Sequence, residues 1–259
     1  MGYKKGHTEG GAMFGLNPLH KVDTRPGDAL DVQEVFGTIQ GEGPFAGQPA
    51  VFCRLTHCNL RCFFCDTDFS SSTWRPTLDD LFAAVEAERT KVKTNLIVIT
   101  GGEPLRQPVG PFITSCLDRG LRVQIETAGT VWPATMRVAP IDDALSDGRI
   151  TIVCSPKTTT LNSQVKRHTK NYKYIVAANE VGDDGLPALS TQSPSLIAPI
   201  FVPKTEDAAQ IWLQPRMDYL ASGAEDVKRT AMNTKAAADL CMKHGYRLSL
   251  QIHKTVGLR

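Results

Sequence analysis

Along this chain, short apolar runs of strand length alternate with stretches whose apolar residues recur at helical spacing. Residues 31–36 alternate apolar and polar positions, which predicts a short strand. Residues 50–55 and 96–100 are nearly unbroken apolar runs, the pattern of strands covered on both faces in a parallel sheet. The same signal recurs at 122–126, 150–154, 172–176 and 248–252, with shorter runs at 199–202 and 211–213. Between them, residues 77–89 begin on a capping Thr and carry helical spacing, a helix runs from Pro104 to about Arg119, and 233–244 forms a capped, Ala-rich helix. Strands alternating with helices imply right-handed crossovers. The predicted fold is therefore α/β, a partial, splayed β/α barrel of about six mostly parallel strands, too few to close an eight-stranded barrel. Residues 1–29 show little periodicity and are expected to be a poorly ordered or peripheral extension, with a single domain over 30–259.

The polar clusters follow the strands. Gln40-Gly41-Glu42-Gly43 comes after the first, a Cys-rich loop and Asp66-Thr67-Asp68 after the second, and Gly101-Gly102-Glu103-Pro104 after the third. Glu126-Thr127, Ser155-Pro156-Lys157, Gln214-Pro215-Arg216-Met217 and His253-Lys254 follow later strands. In parallel sheets, ligands collect at the carboxyl ends of the strands. One rim, and one large site, is the expectation.

The Cys-rich loop reads Cys58-Asn59-Leu60-Arg61-Cys62-Phe63-Phe64-Cys65. Three thiolates can bind three irons of a cubic iron–sulfur cluster and leave the fourth open to a small molecule. A structural zinc ion would want a fourth protein ligand, for which Cys53 or His57 are at hand, and spacing alone does not decide between the two. Thr67 between two carboxylates suits a hard cation such as magnesium, but the residues alone favour a helix N-cap. Arg54 is either a bidentate partner for a ligand carboxylate or one half of a structural salt bridge.

Composition narrows the class. Lysine and arginine number 29 against 27 acidic residues, which gives no field for nucleic acid. No apolar run reaches the ~18 residues of a membrane span, and the first residues lack the apolar core of a signal peptide. Seven cysteines, three of them clustered, point to reduced thiols of a cytoplasmic protein and a cofactor rather than a disulfide scaffold. Cys53, Cys116, Cys154 and Cys241 stand isolated in apolar segments and are expected to be small core residues.

The Cys-x3-Cys-x2-Cys spacing followed by Gly-Gly-Glu-Pro at a strand end resembles the radical S-adenosylmethionine (SAM) superfamily. Within it, Gln40–Gly43, Gly47-Gln48-Pro49-Ala50-Val51-Phe52, Arg54-Leu55, Cys65-Asp66-Thr67, Ser155-Pro156-Lys157 and His253-Lys254 resemble the 7-carboxy-7-deazaguanine synthase family over nearly the whole chain from Asp31. The resemblance implies a lyase that converts 6-carboxy-5,6,7,8-tetrahydropterin to 7-carboxy-7-deazaguanine with loss of ammonia, in queuosine-type biosynthesis. It implies a 4Fe-4S cluster on Cys58, Cys62 and Cys65, with an adenosyl radical made from SAM. SAM would be held by Gly102, Ser155, Pro156 and Lys157, with Gln214, Pro215, Arg216 and Met217 nearby. Magnesium would bind at Thr67, and the pterin would meet Ile39, Gln40, Gly41, Arg54, Thr100, His253 and Arg259. A homodimer and an electron donor such as flavodoxin belong to the same expectation.

Overall fold

The computed structural model describes residues 18–65, 67, 69, 73–192, 198–204, 209–220 and 222–258. Eight strands form one open sheet in chain order. They are β1 (Val32–Ile39), β2 (Pro49–Leu55), β3 (Leu96–Gly101), β4 (Arg122–Thr127), β5 (Ile150–Cys154), β6 (Asn171–Val176), β7 (Gln210–Pro215) and β8 (Arg247–Leu248). β1 and β2 form an antiparallel hairpin, and every later neighbour is parallel. The six-stranded expectation thus corresponds to β2–β7, extended by the hairpin strand at one edge and a two-residue strand at the other.

The helices are α1 (Leu78–Val92), α2 (Gly110–Asp118), α3 (Ala139–Asp147), α4 (Ser163–His168), α5 (Val227–His244) and α6 (Ile252–Thr255). Thr77 caps α1 by accepting from the Asp80 N–H, as its sequence predicts. Asp226 caps α5, which begins earlier than the Ala-rich stretch, at Val227. α3 and α4 had no clear signal. α3 buries only Ile141 and Ala144, and α4 only Val165, too few apolar positions to establish a period. The run at 199–202 forms no regular element. The strand expected over 248–252 stops at Leu248; 249–251 form no regular element and Ile252 opens α6.

The period of two along each strand divides the side chains into two worlds. Val51, Cys53 and Leu55 of β2, Ile97 and Ile99 of β3, and Val123 and Ile125 of β4 join the main core with Phe112, Ile113 and Leu81 from the helices. Cys116, Cys154 and Cys241 lie in this same core. The intervening positions face the barrel interior. Its floor is a small separate cluster of Phe36, Ala50, Phe52, Leu96 and Val98, with the two Phe rings stacked at 5.4 Å. Above that floor the interior positions become polar.

β2 and β3 come together most tightly where β3 ends. Gly101 has φ +132, and a Cβ there would collide with the backbone of Leu55. Gly47 also has a positive φ, +90, but open space beside it. Backbone strain of this kind costs roughly 1–3 kcal/mol. Gly101→Ala should therefore lower the urea midpoint of the cofactor-free protein clearly more than Gly47→Ala. Equal losses would mean that β2 and β3 relax apart freely.

Candidate active site

The carboxyl ends of the parallel strands open into a cavity of about 440 Å3. Register sets its wall. Arg54 of β2 pairs with Thr100 of β3, and Ile99 with Ile125 of β4, so Arg54, Thr100 and Glu126 stand in one interior row. Thr100 Oγ1 donates to Glu126 Oε2 at 2.9 Å, while Gln40 Nε2 and Gln124 Nε2 each donate to Oε1 at 3.0 Å. Three donors thus fix one carboxylate in the wall. Arg54 Nε donates to Glu34 Oε1 at 2.8 Å, so the salt bridge exists and the residue also lines the cavity. The guanidinium lies over the Phe36 ring at 5.6 Å.

The loop after β1 supplies a second charged group. Glu42 is buried, ion-paired with Lys173 of β6 and accepting from Gln251 Nε2 at 2.8 Å. Burial would raise the Glu42 carboxyl, yet the Lys173 charge and the bonds from Lys173 and Gln251 hold it below its ordinary value. Gly41 is buried against α6, and a Cβ there would strike His253 Nδ1. Burial lowers the His253 pKa, which favours the neutral ring. Among the described residues, its Nδ1 and the Oε1 of Gln214 are buried with no hydrogen-bond partner. Such atoms call for a partner, and a polar ligand in the cavity supplies one.

The Cys-rich loop leaves β2 and covers the same opening. Cys58, Cys62 and Cys65 all line the cavity, and none of them is in a disulfide. Among the described residues, no three His, Cys, Asp or Glu side chains sit close enough together to hold a single metal ion. Three thiols on one cavity wall suit the separate irons of a cluster. Cys53 is fully buried in the core face of β2, and neither it nor His57 lines the cavity with the three cysteines, so neither is placed as a fourth ligand there. Burial pushes the Cys58 thiol up to about 12, so ligation there would need the metal itself to displace the proton.

Gly-Gly-Glu-Pro braces this loop. The N–H groups of Gly102 and Glu103 are taken by the carbonyls of Leu55 and His57, at 3.2 and 3.0 Å. These two N–H groups are therefore not available as donors to a ligand. A Cβ on Gly102 would meet the His57 carbonyl. Glu103 is buried, and burial raises its pKa to about 6. Its carboxylate accepts from Thr127 Oγ1 and the Ala128 N–H at 2.7 Å, tying the end of β3 to the end of β4.

The remaining expected residues are placed as follows. Ser155 and Lys157 line the cavity, with Lys157 Nζ donating to Ser155 Oγ and lying 5.8 Å from the Phe64 ring centre. Pro156 is buried just behind them. Gln214, Pro215, Arg216 and Met217 line the same cavity. The Arg216 guanidinium is committed to Glu180 at 2.7 and 3.0 Å and to Asp218 at 2.8 Å. Thr67 lines the cavity and caps no helix, since α1 starts at Leu78 on its own cap. Ile39 ends β1 outside the cavity wall. Arg259, Asp66 and Asp68 lie outside the described residues. Sequence reasoning did not select Lys173, Gln251 or Gln124. A lysine inside the otherwise apolar run Tyr172–Val176 was the available signal for the first.

An open parallel barrel with three thiols at the mouth and a polar inner wall defines a cofactor-dependent enzyme of the radical SAM type. The family model described as Radical SAM superfamily matches residues 54–160. A 7-carboxy-7-deazaguanine synthase of Rhodospirillum rubrum is 47% identical over 93% of this chain and 98% of its own. One of Rickettsia prowazekii is 33% identical over 95% of this chain and 96% of its own. The crystal structure of QueE from Escherichia coli superposes with a TM-score of 0.59 at 25% identity, covering 86% of this chain and 93% of that one. The chain belongs to the 7-carboxy-7-deazaguanine synthase family. A 4Fe-4S cluster and SAM are its cofactors.

The Glu42–Lys173 pair yields a stability prediction. Removing one partner of a buried pair leaves the other charge uncompensated, at roughly 3–5 kcal/mol. Lys173→Met should lose about that much in urea denaturation at pH 7, and Glu42→Gln/Lys173→Met should recover most of it. Because the folded Glu42 pKa is depressed, the pair's contribution is full above its ordinary value of 4.5 and fades as pH falls through the lower folded value. In Lys173→Met the burial effect dominates, so the variant should gain stability as the pH drops towards 5. A single variant as stable as wild type at pH 7 would rule out the pair.

Proposed function

We propose that the chain converts 6-carboxy-5,6,7,8-tetrahydropterin to 7-carboxy-7-deazaguanine with loss of ammonia, using Cys58, Cys62 and Cys65 as cluster ligands. The observation that carries this reading is the meeting of three cysteine side chains and the Arg54–Thr100–Glu126 row on one cavity. When bound, the cluster and SAM supply radical hydrogen-transfer chemistry. The chain's own residues bind, orient and keep the site dry.

Arg54 is suited to the substrate carboxylate. Glu34 fixes the guanidinium through Nε at 2.8 Å, which orients the fork without consuming it. Glu126, held by Gln40, Gln124 and Thr100, is an acceptor for ring N–H groups of a pterin. The neutral His253 ring and the Gln214 amide carry unpaired buried atoms that a ring of donors and acceptors would satisfy. The apolar floor of Phe36 and Phe52 seals the closed end. Ser155 and Lys157 suit the polar groups of SAM, and Gly102 leaves room for the cysteine loop to close over it. Thr67 is the magnesium position in this reading. A flavodoxin-type electron donor and a homodimer complete it.

The test is anaerobic reconstitution with iron and sulfide, then incubation with SAM, reductant, magnesium and carboxytetrahydropterin. Deazaguanine should appear by mass, and Cys62→Ala should form neither cluster nor product while staying folded. A colourless wild type, or full activity in Cys62→Ala, would overturn the assignment.

Arg54→Lys probes the carboxylate contact. Lysine cannot pair with Glu34 and also make a planar two-bond fork. Losing part of a charge-assisted pair costs roughly 1.5–3 kcal/mol, so substrate affinity should fall about tenfold to a hundredfold. The ratio of 5′-deoxyadenosine to deazaguanine should rise. Unchanged affinity and ratio would leave Arg54 a purely structural partner of Glu34.

A further inference from the structure

The loop after β6 had no distinctive sequence signal, yet it reaches the cysteine loop. Thr191 Oγ1 lies 3.2 Å from Cys62 Sγ, and Gln192 Nε2 lies 3.4 Å from the same sulfur. The orientation of the Gln192 amide is fixed independently. Its Oε1 accepts from the Arg61 N–H at 3.1 Å, and a backbone N–H can only donate. The atom facing the sulfur is therefore the amide nitrogen, a donor.

Thr191 is itself anchored on two sides. Its carbonyl accepts from the Phe63 N–H at 3.2 Å, inside the cysteine loop. Its N–H donates to the Lys157 carbonyl at 3.2 Å, and Ser190 Oγ donates to that carbonyl at 2.9 Å. Ser190 and Thr191 are both buried. The Thr191 hydroxyl has the Lys157 carbonyl as a second acceptor at 3.4 Å, with the sulfur nearer. The segment thus ties Cys62 to the Ser155-Pro156-Lys157 turn, and it brings two donors to a single thiol of the three.

We propose that Thr191 and Gln192 are positioning residues that hydrogen-bond the Cys62 sulfur and set the reduction potential of the cluster. The inference rests on the cluster assignment above. Donors to a ligand sulfur stabilise the more negative, reduced state, so they raise the potential. A further donor, the Leu60 N–H, lies 3.3 Å from Cys58 Sγ.

The experiment is a redox titration with dithionite, followed by electron paramagnetic resonance, of reconstituted wild type, Thr191→Ser and Thr191→Val/Gln192→Leu. Thr191→Ser keeps the hydroxyl and should titrate like wild type. The double variant keeps the shape and loses both donors. Its one-electron reduction equilibrium should fall about tenfold, which is about 59 mV more negative. The same potential in the double variant would overturn the inference and leave the cluster assignment standing. Loss of the cluster in the double variant alone would support it, and equal loss in Thr191→Ser would count against a donor role. A wild type that takes up no cluster would remove both the assignment and the inference.

Discussion

The alternation of side chains along parallel strands is the constraint from which the rest of the molecule follows. A strand covered by helices on one face must send every second residue the other way. In β2, β3 and β4 the outward set is apolar and buried at Val51, Cys53 and Leu55, at Ile97 and Ile99, and at Val123 and Ile125. The inward set is free to change character along the strand, from Phe52 and Val98 at the floor to Arg54, Thr100 and Glu126 near the top. A one-residue slip in register would exchange the two sets and place Arg54 among the helices. The burial of Val51, Cys53 and Leu55 therefore fixes where the guanidinium points.

Much of this was legible in the chain. The runs at 96–100 and 150–154 are apolar on both faces, so their type and length were clear, and the structure places strands there with nearly the same ends. The cysteine spacing and the strand-end motifs likewise led to one rim, and the cavity gathers most of them. Other features depend on contacts that no local pattern records. Glu103 reads as part of a ligand-binding turn, but its carboxylate spends itself on Thr127 and Ala128. Arg216 reads as a site residue, but its guanidinium is saturated by Glu180 and Asp218. Lys173 and Glu42 are far apart in sequence, and only the folding of the whole sheet brings them together as a pair.

The site also mixes rigid and adaptable parts for a physical reason. Glu126 is held by Gln124 of its own strand, Thr100 of the neighbouring β3 and Gln40 just beyond β1, so its position is set largely by the sheet. The cysteines sit on a loop, braced from below by Gly102 and Glu103 and from the side by Thr191. Loops adjust to a ligand more readily than strands do.

The sheet never closes on itself, since β1 and β8 are its two edges. The gap is spanned by the segment leading into α6. Ser249 Oγ accepts from the Gly43 N–H at 3.1 Å, Gln251 reaches Glu42 at 2.8 Å, and the Ile252 N–H reaches the Gly41 carbonyl at 3.4 Å. These partners are separated by more than 200 residues of sequence, as in Gln251 and Glu42 at 209. Contacts of such long range bear the largest loop-closure cost and are the slowest to form. During synthesis, the strands β1 to β7 can pair with their neighbours as they emerge, but the pocket has no finished wall until the final segment arrives. The order in which the polypeptide is made thus delays the binding site until nearly the whole scaffold is in place.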